Sequence, residues 1–144
     1  MSVSHILKQK GRNVITALPA DTVKQVAEIL GAKRIGAIVV SSGNGAIDGI
    51  VSERDVVRAI GEHGAAALDK PASSIMTKNV RSCSDDDSEM ELMAVMTQHR
   101  IRHLPVVTAG KLSGMISIGD VVKFRIEQIE RDAADMKAYI SGGT

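Results

Sequence analysis

Gly49-Ile50-Val51-Ser52-Glu53-Arg54-Asp55-Val56-Val57-Arg58 recurs 65 residues later as Gly114-Met115-Ile116-Ser117-Ile118-Gly119-Asp120-Val121-Val122-Lys123. Upstream, Asn13-Val14 matches Asn79-Val80 and Arg34-Ile35 matches Arg100-Ile101, at an offset of 66, so one residue is missing from a loop between these blocks. The helical positions keep step as well: Val26, Ile29 and Leu30 fall on Leu92, Val95 and Met96. A unit of about 50 residues is present twice, and a site built on one copy is built on both.

The repeat divides the chain into an N-terminal helix (1–12), repeat 1 (13–60), a linker (61–78), repeat 2 (79–126) and a C-terminal helical extension (127–144). In the first repeat Val14-Ile15-Thr16 is extended, and Asp21 or Thr22 caps a helix that runs to about Leu30 and stops at Gly31. Ala37–Val40 reads as a buried strand, Ser42–Gly45 as a turn and Ala46–Val51 as the returning strand. A helix then opens at Ser52. The second repeat gives Val80–Ser82 extended, a helix from Ser88 to His99, strands Leu104–Val107 and Leu112–Ser117, and a long final helix from Ile118. Each half reads β-α-β-β-α, an α/β (α+β) unit with helices covering a three-stranded sheet.

The final helix carries an apolar seam. Val122, Ile126, Ile129, Ala133, Met136 and Ile140 are spaced 4, 3, 4, 3, 4, with charged residues between them. Either the helix packs back on its own half or it pairs two chains. Its counterpart in the first repeat is much shorter, which favours a homodimer.

Composition excludes several function classes. The 144 residues contain one Phe and one Tyr and no Trp, so the aromatic stacking platforms of single-stranded nucleic-acid binders are missing. Net charge is +1, and no basic stripe stands out beyond Lys8, Lys10 and Arg12, so nucleic acid is not expected as a partner. Cys83 is alone, which rules out an intrachain disulfide and fits a cytoplasmic location. No signal peptide or membrane span is expected. His99 and His103 are four apart, but a helix end between them points them apart, and no metal site is expected. Asp85-Asp86-Asp87 precedes a helix start and reads as a dipole-favoured cap, and Cys83 as a small buried hydrophobe.

The repeated Gly-hydrophobic-hydrophobic-Ser-x-x-Asp sits at a strand-to-helix junction. Ser52 and Ser117 are N-caps, and Asp55 and Asp120 fall at the third helical position, where a capping box needs no ligand. Duplication adds a second reading. A helix N-terminus offers N–H groups to a phosphate. A carboxylate on that turn accepts two hydrogen bonds from a cis-diol, and the flat strands Val14-Ile15 and Ile38 offer a slot for a purine. Together these describe a nucleotide site.

These residues resemble the tandem cystathionine-β-synthase (CBS) domain pair, or Bateman module, from Asn13 to about Ile126. Its marks are the two Ser-x-x-Asp blocks, Ile75-Met76-Thr77 before the second copy, and Arg100-Ile101-Arg102-His103-Leu104-Pro105-Val106-Val107. The chain leaves no room for an attached enzyme or transporter, so a stand-alone bacterial module is expected. The resemblance implies non-catalytic, regulatory binding of an adenosyl ligand (AMP, ADP, ATP or NAD) in clefts between the copies, read by an unidentified regulated protein. By match to the family, Asp55, Asp120, Ser52 and Ser117 face the ribose. Ile15, Thr16, Ala17 and Ile38, with Val80, Arg81, Ser82, Leu104 and Pro105, line the base. Arg54, Arg102 and His103 approach phosphate. The first copy has Val39 where the second has Pro105 and Ala37 where the second has His103, which favours the second cleft for tight occupancy. The alternative is a dimerisation scaffold whose clefts take no ligand.

Overall fold

The computed structural model describes residues 2–142; Met1 and the last two residues of the expected extension, 143 and 144, lie outside it. The elements run α1 (Val3–Lys10), β1 (Thr16–Ala17), α2 (Val23–Lys33), β2 (Ala37–Val40), β3 (Gly49–Ser52), α3 (Glu53–His63), a 3₁₀ turn (Gly64–Asp69), α4 (Ala72–Ile75), α5 (Glu89–His99), β4 (His103–Thr108), β5 (Lys111–Ser117) and α6 (Ile118–Gly142). None of the described helices is long and apolar enough to cross a membrane.

The duplication is legible in the registers. Ala37 faces Ser52 and Val40 faces Gly49 in the first hairpin; His103 faces Ser117 and Val106 faces Gly114 in the second. The residue missing from the second copy falls in the connection, residues 41–48 against 107–113. In the second half the strands run on to a two-residue turn, Ala109-Gly110, with φ of 52° and 77°, both positive as a tight hairpin requires. The first connection is looser: Gly43, Asn44 and Gly45 all have positive φ, and the returning strand starts at Gly49, three residues later than its sequence suggests.

Two further elements depart from expectation. The helix α2 continues through Gly31 and ends at Arg34, which adopts the left-handed conformation more usual for glycine (φ 54°); Arg100 closes α5 in the same way (φ 53°). Thr22, rather than Asp21, caps α2. In the second half the sheet has two named strands, and the third is reduced to a single bridge. Cys83 donates to the Pro105 carbonyl (2.9 Å) and accepts from the Val107 amide (2.8 Å). The next rung would need an N–H at position 105, and proline has none. In the first half the equivalent residue is Val39, which has an N–H, and β1 pairs over two residues.

Each half has its own aliphatic core, and the halves exchange helices. Val3, Ile6 and Leu7 of α1 pack with Cys83, Leu92, Met96, Leu104, Val106, Ile116, Val121 and Phe124 of the second half. Ala72, Leu68, Ile75 and Met76 of the linker pack with Val23, Val26, Ile38, Val40 and Val51 of the first. The acidic run Asp85–Asp87 helps to seat α1: the Val3 and Ser4 amides donate to the carbonyls of Asp87 (2.9 Å) and Asp85 (3.1 Å). Arg12 then pairs with the Asp85 carboxylate at 2.9 Å. The far part of α6 stands apart from both cores. From residue 129 to 142 it is exposed on every face, so the seam does not fold back on its own half.

Candidate functional site

Both Ser-x-x-Asp elements are reciprocal helix caps. Asp55 Oδ2 accepts from the Ser52 amide (2.9 Å) and hydroxyl (3.1 Å), and the Asp55 amide donates to Ser52 Oγ (3.2 Å). Asp120 Oδ2 accepts from the Ser117 amide (2.9 Å), and the Asp120 amide donates to Ser117 Oγ (3.1 Å). The preceding strands close more of each helix end: Glu53 N donates to the Gly36 carbonyl (2.9 Å) and Ile118 N to that of Arg102 (2.8 Å). The helix ends are therefore less open to an anion than the sequence suggests, because the first and third amides are already taken. Oδ1 of neither carboxylate is held by a hydrogen bond among the described residues. Arg58 lies 3.7 Å from that of Asp55.

The two junctions differ in the cation beside the carboxylate. Lys10, at the end of α1, reaches Asp120 Oδ2 at 2.5 Å and also donates to the Met115 carbonyl at 2.7 Å. Burial by itself raises the Asp120 carboxyl, but the hydrogen bonds from Lys10 and Ser117, with the lysine charge, outweigh it and hold the group below its ordinary value. Among the described residues no lysine reaches Asp55. Met76 packs its sulfur over Gly49, whereas Leu7 fills the corresponding place over Gly114 and leaves Lys10 to turn to Asp120.

His103 lies between the halves. A Cβ added to Gly36 would meet its ring at 2.9 Å and Glu53 Oε1 at 3.4 Å, so the bare backbone of Gly36 admits the imidazole beside α3. Burial, then the Lys10 charge, pushes this imidazole below its ordinary 6.5, against the opposing pull of Asp120 and Glu53. It is half-buried, next to the Asp120 junction. Arg54 and Arg102 are exposed, and neither makes a salt bridge among the described residues.

The residues matched to a base divide by strand face. Ile38 and Leu104 are 0% and 1% exposed and point into the two cores, as does Ala17. Their side chains cannot line a cleft, because alternate strand residues face opposite ways. Val39 and Pro105 are buried yet belong to neither core; they lie on the opposite face, shared with His103. That alternation was available from the sequence and selects Val39 over Ile38. Ile15, Thr16, Arg81 and Ser82 are exposed and Val80 is half-buried along the edges of the two sheets. A recess of about 360 Å³ lies beside β1, lined by Arg12, Asn13, Val14 and Thr16, the Ser41–Gly45 connection and Leu112 of the second half.

The CBS domain family matches twice, over residues 3–62 and 72–127, so the chain belongs to the CBS domain family as a tandem pair. A CBS-domain protein of Agrobacterium tumefaciens, whose crystal structure is solved, is 45% identical; the match covers 87% of this chain and 99% of that one, with a TM-score of 0.85. A CBS domain protein of Pyrobaculum aerophilum, solved in complex with AMP, is 30% identical over 83% of this chain and 89% of its own, with a TM-score of 0.74. A mitochondrial CBS domain-containing protein of Arabidopsis thaliana is 30% identical, matching 99% of this chain and 73% of its own length.

Proposed function

We propose that this chain is a non-catalytic regulatory module that binds an adenosine-containing nucleotide at the two Ser-x-x-Asp junctions. The observation that carries the reading is the pair of carboxylates whose Oδ2 is committed to a helix cap while Oδ1 is left for a ligand. A ribose diol supplies two donors to such an acceptor. Ser52 and Ser117 set each carboxylate. The backbone of Ile15–Ala17 and Val80–Ser82, with Val39 and Pro105, borders the base, and Arg54, Arg102 and His103 approach the phosphates. The AMP complex of the Pyrobaculum relative supports the ligand class. AMP, ATP and NAD all present the same adenosine.

Occupancy acts by favouring one arrangement of the halves, or of two chains, through its own differential affinity. The exposed α6 seam is the surface for a second copy. Ile126, Ile129, Met136 and Ile140 are each at least half exposed, an unusual run of large aliphatics on a helix that the described residues leave uncovered. Sedimentation of the double variant Ile129→Glu, Met136→Glu tests it: a dimer falling to monomer supports the seam, and an unchanged dimer moves the interface elsewhere.

Calorimetric titration with AMP, ATP, NAD and S-adenosylmethionine, with GMP as control, tests the ligand. Saturable micromolar binding of an adenosyl compound, weakened about ten- to a hundredfold in Asp55→Ala or Asp120→Ala, is expected, since hydrogen bonds to a charged acceptor contribute roughly 1.5–3 kcal/mol. The complete capping boxes favour a second reading, a dimerisation scaffold in which these residues only cap helices. That reading predicts no binding, and a loss of about 1 kcal/mol of stability in either variant.

A further inference from the structure

Lys10 is a side-chain cation at one junction with no lysine counterpart at the other among the described residues. Its ammonium has three protons, and the structure commits two, one to the Met115 carbonyl and one to Asp120 Oδ2. Lys10 is held in place by α1, which is anchored through Val3, Ile6 and Leu7 in the core of the second half. Asp120 keeps Oδ1 free of hydrogen bonds among the described residues, so the lysine does not consume the diol acceptor. The amides of Ile118 and Asp120 at the start of α6 are already occupied, which removes two of the donors a phosphate would otherwise use. A fixed side-chain cation beside the carboxylate replaces them. At the Asp55 junction α4 stops at Ile75, whereas α1 continues past Leu7 to Lys10, and no lysine among the described residues reaches that carboxylate.

We propose that Lys10 is the phosphate-selecting residue of the Asp120 cleft: its third ammonium proton takes a phosphate oxygen of the ligand whose ribose Asp120 holds, so this cleft discriminates for phosphorylated adenosyl compounds. The inference rests on the nucleotide-binding reading above and adds the specificity of one cleft. His103 lies beside it but is held largely neutral near pH 7 by burial and by the Lys10 charge, and so adds little fixed charge. Arg102 is exposed and makes no ion pair among the described residues, whereas Lys10 is held by two hydrogen bonds before any ligand arrives.

The test is titration of the full chain with AMP and with adenosine, in an Asp55→Ala background that leaves the Asp120 cleft alone. The expected result is tighter binding of AMP than of adenosine, with Lys10→Met lowering the AMP-to-adenosine preference about tenfold and Lys10→Arg keeping most of it, since a charge-assisted hydrogen bond is lost in one variant and kept in the other. Adenosine affinity stays within about threefold in Lys10→Met, which also shows that the variant is folded. An unchanged preference in Lys10→Met overturns the assignment. So does loss of all binding in Asp55→Ala when the unmutated chain binds, because the Asp120 cleft then takes no ligand at all. Failure of the unmutated chain to bind either compound instead overturns the nucleotide-binding reading beneath it.

Discussion

Asp120 Oδ2 is shared between the Ser117 amide and Lys10, and that sharing gives the residue a pH signature. Its folded-state affinity for a proton is depressed, so as pH falls the unfolded chain binds a proton first. The stabilisation is therefore complete above the ordinary carboxylate range and is lost as pH falls through 3.8 and below. The difference in melting temperature between the unmutated chain and Asp120→Asn should be largest near neutrality and shrink in acid. His103 is also depressed, with burial the main cause. Folding favours its neutral form, so stability declines as pH falls below 6.5, and His103→Gln should flatten that part of the profile. Cys83 behaves differently again. Burial, reinforced by Asp87 and Asp85, pushes its thiol up to about 12. A thiol reagent at pH 8 should leave it unmodified in the folded chain and label it once denaturant is added. This is the chemistry expected of a small apolar filler, which is how position 83 reads in the sequence.

Among the elements, two glycines at equivalent hairpin positions are crossed by different residues. A Cβ on Gly49 would lie 2.5 Å from Met76 Sδ and 2.9 Å from the Thr77 carbonyl, and the latter is backbone that cannot swing aside. On Gly114 the nearest atoms are the ends of Leu7, at 3.0 and 3.1 Å, which can shift. Gly49→Ala should cost roughly 1–3 kcal/mol in urea denaturation and Gly114→Ala clearly less, about 1 kcal/mol or under. Strand and helix order, the caps Ser52 and Ser117, and both junctions were readable in the chain because each rests on local spacing and hydrogen-bonding chemistry. What escaped depended on a second segment or on a backbone dihedral. Arg34 and Arg100 enter the left-handed region without glycine, which let α2 pass its expected stop at Gly31. The third strand of the second sheet failed at Pro105, a residue visible in the sequence whose missing N–H matters only once its neighbour is known. Lys10 is separated from Asp120 by 110 residues, and no local pattern links them.

At the scale of the whole molecule, the exchanged helices decide how stability is distributed. Val3, Ile6 and Leu7 are almost completely buried, and burying such side chains contributes roughly 1.5–3 kcal/mol each. Their sum is comparable to the total stability of an ordinary domain, about 5–15 kcal/mol. Removing residues 1–10 should therefore unfold the C-terminal half first, although the deletion is at the opposite end of the chain; hydrogen exchange at Val106 and Ile116 would report it. A chain cut within the exposed 3₁₀ turn, between Ala65 and Ala66, leaves each fragment with an uncovered core. The two pieces mixed should recover the native circular dichroism that neither gives alone. A single copy of the unit is thus half of a handshake, its leading helix shaped for a core that only another copy can offer. Two such copies on separate chains would each lend the other a helix, and joining them end to end turns a pact between neighbours into the internal wiring of one molecule.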